Sequence, residues 1–423
     1  MIIFIYNLLM PLVFLFFLPG LIIKLVKRGG HKDTYWERFG FFSAEMKNHL
    51  EGLCNPVWVH AVSVGEGQIA VSFIKQWKES NPDIDFVLST TTTTGQAIAR
   101  QNAPKDVTVI FCPIDFSWAV RKVVKMIRPE ILVLFETEIW PNLIFESSKF
   151  GVKVVQVNAR ISDHSFKGYY RYKYFINYFL SKISVSCAQT ALDAERLKKI
   201  CPSLRVELTG TMKFDQKIPD KFLDLKLDEV FGNEKRRVLL AASTHPDEEK
   251  LIAGIFLKLV KEFPDLKFVE VPRHAERGSD VADIFNDMKL PFHQRSRGGK
   301  PSSPVSCLLA DTTGEMVSFI NESDIVIVGK SFAGNNEGQN VIEPALMGKA
   351  VIVGPQLKNF RHVMDIMLKK NALISVGDDE LENSIRDLLK NPGKCKDQGA
   401  VAKATVFEHI GATQRTIDIV KQV

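Results

Sequence analysis

The sequence predicts an α/β fold with two parallel sheets. Short β-branched runs alternate with amphipathic stretches of helical length along most of the chain, a pattern typical of parallel strands covered by helices. Two series of such runs occur, separated by a charged stretch without strand character, IPDKFLDLKLDEVFGNEKRR. This break indicates a domain boundary. A length of 423 residues, with 45% hydrophobic and 25% charged residues, suits two globular domains.

The predicted strands fall into two series of similar length, and helix-like polar sequence follows each strand. The first series is VWVHAV, FVLST, VTVIF, ILVLF, VKVVQV and ISVSCA. The second is VLLAAS, KFVEV, VSCLLA, IVIVG, AVIVG and ALISV. We therefore predict two Rossmann-like domains, at residues 31–217 and 218–423, that face a common cleft. The last helix of the second domain is a candidate to pack back on the first.

The amino-terminal segment from Met1 to Ile23 has no charged residue and is about as long as a helix needs to cross a bilayer. Basic residues follow it directly, and such residues mark the cytoplasmic side of a span: Lys24, Lys27, Arg28, His31 and Lys32. A cleaved signal peptide is the alternative, but a preceding basic region and a small-residue cleavage site are missing. We predict a single membrane anchor at residues 1–30, with Pro11 and Pro19 leaving open a kinked or partly inserted helix.

Charge and cysteine content narrow the function classes. The net charge of +6 is not gathered into one run, which disfavours a dedicated nucleic-acid protein and suits a membrane surface or an acidic ligand. The six cysteines are scattered without a C-x-x-C pair, which predicts buried, reduced side chains rather than a zinc site. Neither a G-x-G-x-x-G fingerprint nor a P-loop occurs, so a dehydrogenase is disfavoured. We expect no cofactor and no metal.

Polar side chains at the strand ends of the first domain are the candidates for catalysis, because ligands of doubly wound sheets bind there. Glu66 lies between Gly65 and Gly67 after VWVHAV, where a helix start stabilises an ionised carboxylate. Such a carboxylate in a cleft suits a general base. The alternative is a residue that only caps the helix.

Further charged groups follow the later strands of this domain. Glu136 and Glu138 come after ILVLF together with Trp140, and acidic and aromatic groups at such a place suggest carbohydrate binding. Arg160 follows VKVVQV, and Lys213 follows VELTG. Helix capping for the acidic residues and a solvated surface position for the cations are the alternatives.

The second domain offers candidates for binding a phosphate or a nucleoside. His245 precedes Pro246 at a predicted helix start, a geometry that suits an anion. Arg273 follows KFVEV and can make a bidentate phosphate contact. The segment 311–316 follows VSCLLA, and residues 340–343 open a helix where a ribose hydroxyl pair would fit. Ordinary helix caps are the alternative at each of these places.

Several segments, in chain order, resemble the 3-deoxy-manno-octulosonic acid (Kdo) transferases of lipopolysaccharide assembly. They are HAVSVGE, ETEIWPN, NARIS, TGTMKFD, STHPDEE, VPRHAER, DTTGE and NVIEPA. The resemblance covers nearly the whole chain, including the apolar amino terminus. It implies a two-domain GT-B fold, CMP-Kdo as donor, lipid IVA as acceptor and inversion of the anomeric centre without a metal. It also implies a place at the bacterial inner membrane, with the catalytic domains on the cytoplasmic face.

Matched residue by residue, the resemblance implies that Glu66 accepts the proton and that Glu136 and Lys213 stabilise the transition state. It implies CMP contacts from Pro272, Arg273, Thr313, Gly314, Glu315, Asn340, Val341, Ile342 and Glu343. We add Arg160 and His245 because of their strand-end positions.

One departure from the family pattern concerns the donor side. The family has a paired glycine and a G-G-[HP]-N loop where this chain has Gly329–Ser331 followed by FAGNNEGQN, so we expect a different loop shape at residues 329–339.

Two rival functions remain open from the sequence. One is a nucleotide-sugar epimerase of the same double Rossmann architecture, and the other is a catalytically silent membrane scaffold that binds nucleotide or lipid.

Overall fold

The computed structural model describes residues 1–28, 32–302 and 305–423. The basic residues predicted to follow the anchor, from Lys24 to Lys32, lie outside the described side chains. Contacts divide the chain into two compact units. The first unit comprises Met1–Asp215 and Gly411–Val423, and the second comprises Gln216–Ile410.

Parallel strands form one sheet in the first unit. They are β1 (Val57–Ala61), β2 (Phe86–Thr90), β3 (Thr108–Phe111), β4 (Ile131–Phe135), β5 (Lys153–Ala159), β6 (Ile183–Ala188) and β7 (Val206–Leu208). Their order is β3-β2-β1-β4-β5-β6-β7. The helices before the second unit are α1 (Ile2–Arg28), α2 (Ala44–Gly52), α3 (Val64–Ser80), α4 (Thr93–Asn102), α5 (Ser117–Ile127), α6 (Pro141–Lys149), α7 (Asp163–Arg171), α8 (Lys173–Leu180) and α9 (Ala191–Ile200), with 3₁₀ turns at Lys32–Phe39 and Met212–Phe214.

The strands of this sheet are mostly apolar and buried because helices cover both faces. Alternate residues of one strand therefore enter different cores: Trp58 and Leu134 pack in one cluster, whereas Val59 and Phe135 pack in the other. The order of the strands reverses between β1 and β4. In doubly wound sheets ligands bind at the carboxyl ends of the strands beside such a reversal.

The second unit repeats this plan. Its strands are β8 (Arg237–Thr244), β9 (Leu266–Pro272), β10 (Phe292–Gln294), β11 (Cys307–Leu309), β12 (Ile325–Val328), β13 (Ala350–Val353) and β14 (Ile374–Ser375), in the order β10-β11-β9-β8-β12-β13-β14. Its helices are α10 (Leu227–Phe231), α11 (Glu248–Glu262), α12 (Gly278–Asp287), α13 (Met316–Glu322), α14 (Ile342–Leu346), α15 (Arg361–Lys369), α16 (Asp378–Lys390) and α17 (Pro392–His409), with 3₁₀ turns at Ala275–Arg277, Arg295–Arg297 and Lys358–Phe360. The reversal lies between β8 and β12.

The two parallel sheets confirm the predicted α/β class, and each predicted run contains a strand. Edge strand β10 was not predicted, because it has only three residues and one apolar side chain among them. The cysteines are free, and Cys112, Cys187, Cys201 and Cys307 are buried as predicted. Cys54 is exposed, an exception to that prediction.

The carboxyl-terminal helix α18 (Ala412–Val420) belongs to the first unit. Ala412, Ile417 and Val420 lie in the same core as residues of α3. Asp215 caps this helix: its carboxylate accepts hydrogen bonds from the backbone N–H of Gly411 at 2.6 Å and of Thr413 at 2.5 Å. The end of the TGTMKFD segment thus holds the last helix of the chain.

Helix α1 packs against the rest of the first unit. Ile2 and Ile3 contact its core, and the ring of Phe14 meets that of Phe116 at 5.2 Å between centroids. The opposite side of the helix exposes large apolar side chains: Phe4, Leu8, Leu12, Leu15 and Phe16. Within the described part of the chain, none of the helices has both the length and the apolar character that a membrane crossing requires.

Candidate active site

Glu66 lies in the first turn of α3, directly after β1. Its Oε2 accepts a hydrogen bond from the Val62 N–H at 2.8 Å, and its Oε1 accepts one from the Ser63 hydroxyl at 3.0 Å. The Ser63 hydroxyl in turn accepts from the Glu66 N–H at 3.2 Å, so Ser63 and Glu66 cap the start of α3 together. Glu66 therefore does cap the helix, but a carboxylate has about four lone-pair sites and can still accept a proton.

The glycines beside Glu66 are not required by packing within the protein. A Cβ added at Gly65 or Gly67 would meet no heavy atom within 4 Å. The space over this helix start is therefore open on the side of both glycines, as the approach of a ligand requires.

Glu136 directly follows β4, which pairs with β1 in the sheet. Its backbone is left-handed, with φ of 54°, a conformation that costs a non-glycine residue about 1 kcal/mol or more. Two hydrogen bonds to β5 hold it: the Glu136 N–H donates to Val157 O at 2.9 Å, and Gln156 Nε2 donates to Glu136 O at 2.8 Å. Such strained residues cluster at functional sites, which supports a role for Glu136.

Lys213 lies on the 3₁₀ turn after β7, and buried Asn158 positions that turn. Asn158 Oδ1 accepts from the backbone N–H of Met212 at 3.1 Å. Asn158 lies with Arg160 at the end of β5, a strand-end position that the NARIS segment predicts.

The charges of Glu66, Glu136, Arg160 and Lys213 act on one another. Burial raises the pKa of Glu136, and the negative charge of Glu66 adds to this rise. The positive charges of Lys213 and Arg160 oppose it. Burial lowers the pKa of Lys213, while Glu136 and Glu66 favour its charged form and Arg160 disfavours it. The structure thus brings all four predicted residues of the first unit into one electrostatic cluster.

Glu138, which the sequence suggested for carbohydrate binding but not for catalysis, joins this cluster. Burial raises its pKa to about 7, and the charges of Glu66 and Glu136 contribute to the rise. The Trp140 indole N–H donates to Glu138 Oε2 at 2.8 Å, and this hydrogen bond opposes the rise in the pKa of Glu138. A carboxyl group that titrates near neutral pH in a charged site is a candidate for proton transfer.

His245 marks a cationic site in the second unit. It follows β8, and its pKa is lowered to about 4, first by burial and then by the positive charges of Lys330, His274, Arg277 and Arg273. Cations that converge on one strand end favour an anionic ligand such as a phosphate.

The predicted anion site at the helix start after His245 is filled by an internal carboxylate. Buried Glu248, the first residue of α11, accepts hydrogen bonds from the backbone N–H of His245 at 2.8 Å, of Lys330 and Ser331 at 2.7 Å, and of Phe332 at 2.8 Å. The backbone N–H of His245 is therefore already occupied. Side-chain cations, rather than these N–H groups, remain to bind a phosphate.

Arg273 is exposed at the end of β9, and its N–H donates to Thr244 O at 3.0 Å. Pro272, by contrast, is buried as the last residue of that strand. A ligand can therefore meet the guanidinium of Arg273, whereas the ring of Pro272 serves to pack the strand end.

The segment from Thr313 to Glu315 presents mainly backbone. Thr313 and Gly314 are exposed, and Gly314 adopts φ of 84°, which favours glycine. Both Glu315 oxygens accept from Arg295, each at 2.6 Å, and this pairing lowers the Glu315 pKa. The Glu315 carboxylate therefore fixes the loop to Arg295.

The predicted contacts at 340–343 are only partly accessible. Val341 and Ile342 are fully buried, so neither residue is accessible to CMP in this structure. Asn340 Oδ1 accepts from the Ile342 N–H at 3.0 Å and so caps α14. Burial raises the pKa of Glu343, and a hydrogen bond with Asn340 opposes the rise.

The loop after β12 differs from the family pattern at Lys330. This residue adopts φ of 59°, a conformation that glycine takes freely. Gly329 before it has no room for a side chain, because an added Cβ would lie 2.4 Å from Ser243 O. Lys330 forms an ion pair with Glu337 and adds a positive charge beside His245.

Among the described residues, no group of three or more histidine, cysteine, aspartate or glutamate side chains could hold a metal ion.

Known proteins match this chain along most of its length. A family model described as 3-Deoxy-D-manno-octulosonic-acid transferase (kdotransferase) matches residues 33–216. The 3-deoxy-D-manno-octulosonic acid transferase of Rickettsia felis is 31% identical over 326 residues, which cover 77% of this chain and 69% of that protein. The transferase of Bordetella pertussis is 30% identical over 421 residues, 95% of each chain. The chain belongs to the Kdo transferase family.

Solved structures share the fold of this Kdo transferase at low identity. The UDP-GlcNAc 2-epimerase from Neisseria meningitidis has a TM-score of 0.59 at 13% identity, and the match covers 87% of this chain and 100% of the epimerase. MurG from Acinetobacter baumannii has a TM-score of 0.56 at 12% identity, and the match covers 88% of this chain and 100% of MurG. These likenesses agree with the GT-B fold. Because the chain belongs to the Kdo transferase family, it is a glycosyltransferase rather than a nucleotide-sugar epimerase.

Proposed function

We propose that this Kdo transferase moves Kdo from CMP-Kdo to lipid IVA, with inversion of the anomeric centre and without a metal ion. The observation that carries the proposal is the cluster of Glu66, Glu136, Arg160 and Lys213 at the strand ends of the first unit. Paired carboxylates and cations of this kind suit the activation of a sugar hydroxyl.

Glu66 is the proposed general base. It takes the proton from a hydroxyl of the lipid acceptor as that oxygen attacks the anomeric carbon of Kdo. The open space over Gly65 and Gly67 allows the acceptor to approach, and the carboxylate lies in the first turn of α3. Glu136 and Lys213 stabilise the transition state, and Arg160 adds positive charge to the same cluster.

The second unit is the proposed donor-binding unit. Arg273 and Lys330 supply positive charge for the phosphate of CMP, whose charge is present before the bond breaks. The exposed backbone at Thr313 and Gly314 is available to the nucleoside, whereas the Asn340 side chain is already bonded to the Ile342 N–H and to Gln216 Oε1. Because these cations can stabilise the leaving group, the proposed reaction does not require a divalent ion.

The exposed side of α1 is the proposed membrane face of the enzyme, defined by Phe4, Leu8, Leu12, Leu15 and Phe16. Large contiguous apolar surfaces mark membrane or protein contacts, and a lipid acceptor requires an enzyme at the membrane surface. We place this face in the cytoplasmic leaflet of the bacterial inner membrane, with the helix lying in the interface.

The test is an incubation of the full chain with labelled CMP-Kdo and lipid IVA in vesicles that contain EDTA. We expect the label in the lipid and stoichiometric release of CMP, with the opposite anomeric configuration in the product. Isomerisation of the sugar nucleotide or the absence of turnover would overturn the proposal, and turnover only without EDTA would overturn its metal independence.

A further inference from the structure

Two polar residues join helix α1 to Asp115 and to the first turn of α6, which directly follows the segment that carries Glu136 and Glu138. The Tyr6 hydroxyl donates to Asp115 Oδ2 at 2.8 Å, and Asn7 Oδ1 accepts from Asn142 Nδ2 at 2.7 Å. All other residues from Ile2 to Phe16 are apolar. Polar side chains in an otherwise apolar helix need partners, and here the partners lie in the first unit.

Asp115 is the centre of this contact. It is only 1% exposed, and besides the Tyr6 hydroxyl its carboxylate accepts from the N–H groups of Asn142 and Leu143, each at 2.9 Å. Its backbone carbonyl accepts from Asn142 Nδ2 at 2.6 Å. Asp115 therefore holds the first turn of α6, and α1 supplies a further donor to the same carboxylate.

The first turn of α6 fixes the catalytic segment before it. Trp140 immediately precedes α6, its indole N–H binds the Glu138 carboxylate at 2.8 Å, and its ring meets that of buried His60 at 5.7 Å. A displacement of the start of α6 would move Trp140 and with it the Glu138 carboxylate. Small displacements of this kind are costly in a reacting site.

We propose that Tyr6 and Asn7 are positioning residues for the segment from Glu136 to Trp140. The same helix then has two roles: its outer side is the proposed membrane face, and its inner polar pair holds the catalytic segment in place. The activity readout of this proposal rests on the proposed Kdo transfer.

The test compares the full-chain Tyr6→Phe variant with the parent in the same vesicles. The ring is kept, so its contacts with Phe175 and Phe179 persist, and the hydroxyl's hydrogen bonds to Asp115 and to Met10 Sδ are lost. We expect kcat per CMP-binding chain to fall by about 10-fold, with the KM for CMP-Kdo and the vesicle-bound fraction unchanged. A protein that had merely lost stability would instead bind less CMP per chain.

Two further variants sharpen the comparison. Asn7→Leu removes the acceptor for Asn142 and should lower kcat in the same manner, but less, because Asn142 Nδ2 keeps its bond to Asp115 O. Tyr172→Phe removes a hydroxyl from a side chain that is 63% exposed on the same unit, and should leave kcat at the parent value.

Hydrogen exchange gives a readout that needs no substrate. In Tyr6→Phe the amides of Asn142 and Leu143 should exchange faster than in the parent, while amides of β4 keep their rates. A parent-like kcat or parent-like exchange of these two amides would overturn the proposal. If the parent itself transfers no Kdo, the proposed function fails, and the exchange rates alone decide whether Tyr6 holds this segment.

Discussion

Replacing Glu138 by glutamine should stabilise the first unit at alkaline pH and leave its stability unchanged at acidic pH. Burial and the neighbouring charges of Glu66 and Glu136 raise the pKa of Glu138 from its ordinary value of 4.5 to about 7. The folded chain thus binds this proton more tightly than the unfolded chain. The stability that the protonated group contributes is fully present below pH 4.5 and is lost as the pH rises to about 7.

The magnitude follows from that pKa change. The difference between 4.5 and about 7, at about 1.36 kcal/mol for each pKa unit, corresponds to about 3 kcal/mol. Glutamine is neutral at every pH and its Oε1 can accept the indole N–H of Trp140 as the carboxylate does. The variant therefore keeps the contact with Trp140 but has no carboxyl group that can ionise at position 138. Its free energy of unfolding at pH 8 should exceed that of the parent by about 1 to 3 kcal/mol.

Urea unfolding followed by tryptophan fluorescence measures this difference, because all five tryptophans lie in the first unit: Trp36, Trp58, Trp77, Trp118 and Trp140. Parent and variant are compared at pH 4.5 and pH 8. Glu45→Gln, on the exposed surface of α2, is the matched control. A Glu138→Gln advantage of equal size at both pH values, or none at pH 8, would refute the assignment of a raised pKa to Glu138.

Three further substitutions test the two units separately. Arg273→Ala should weaken CMP binding by about 1.5 to 3 kcal/mol in a calorimetric titration, and an unchanged affinity would remove Arg273 from the donor site. Glu66→Gln should lower transfer by about 10²- to 10⁴-fold with CMP affinity intact; if most turnover remains, Glu66 only caps α3 and Glu136 becomes the leading base. Asp215→Ala should destabilise the first unit by about 1 to 2 kcal/mol in urea, since it caps α18, and an unchanged midpoint would contradict that role.

The sequence predicts the sheets well because buried parallel strands are read from short β-branched runs. It also predicts which residues share a sheet edge. Glu66 and Glu136 follow strands β1 and β4, which are far apart in the chain but adjacent in the sheet. The carboxyl ends of parallel strands lie at one edge, so strand-end chemistry can be proposed before any coordinates are known.

Hydrogen bonds between segments that are distant in the chain could not be predicted from the sequence. The STHP segment has the composition of an anion site. In the structure, however, the carboxylate of Glu248 accepts the backbone N–H of His245 together with the backbone N–H groups of residues 330–332. The raised pKa of Glu138 likewise depends on its burial and its distance from other carboxylates. In α1 an apolar run predicts a membrane anchor, whereas the contacts of Tyr6 and Asn7 appear only in three dimensions.

Whether Kdo reaches lipid IVA is decided by mass spectrometry of the lipid A precursors from a bacterial strain in which this chain is the only Kdo transferase. We expect the precursor to carry Kdo, and the number of added residues follows from its mass. A precursor that carries no Kdo, in cells that contain CMP-Kdo and hold the chain in their membrane fraction, would contradict the proposed transfer.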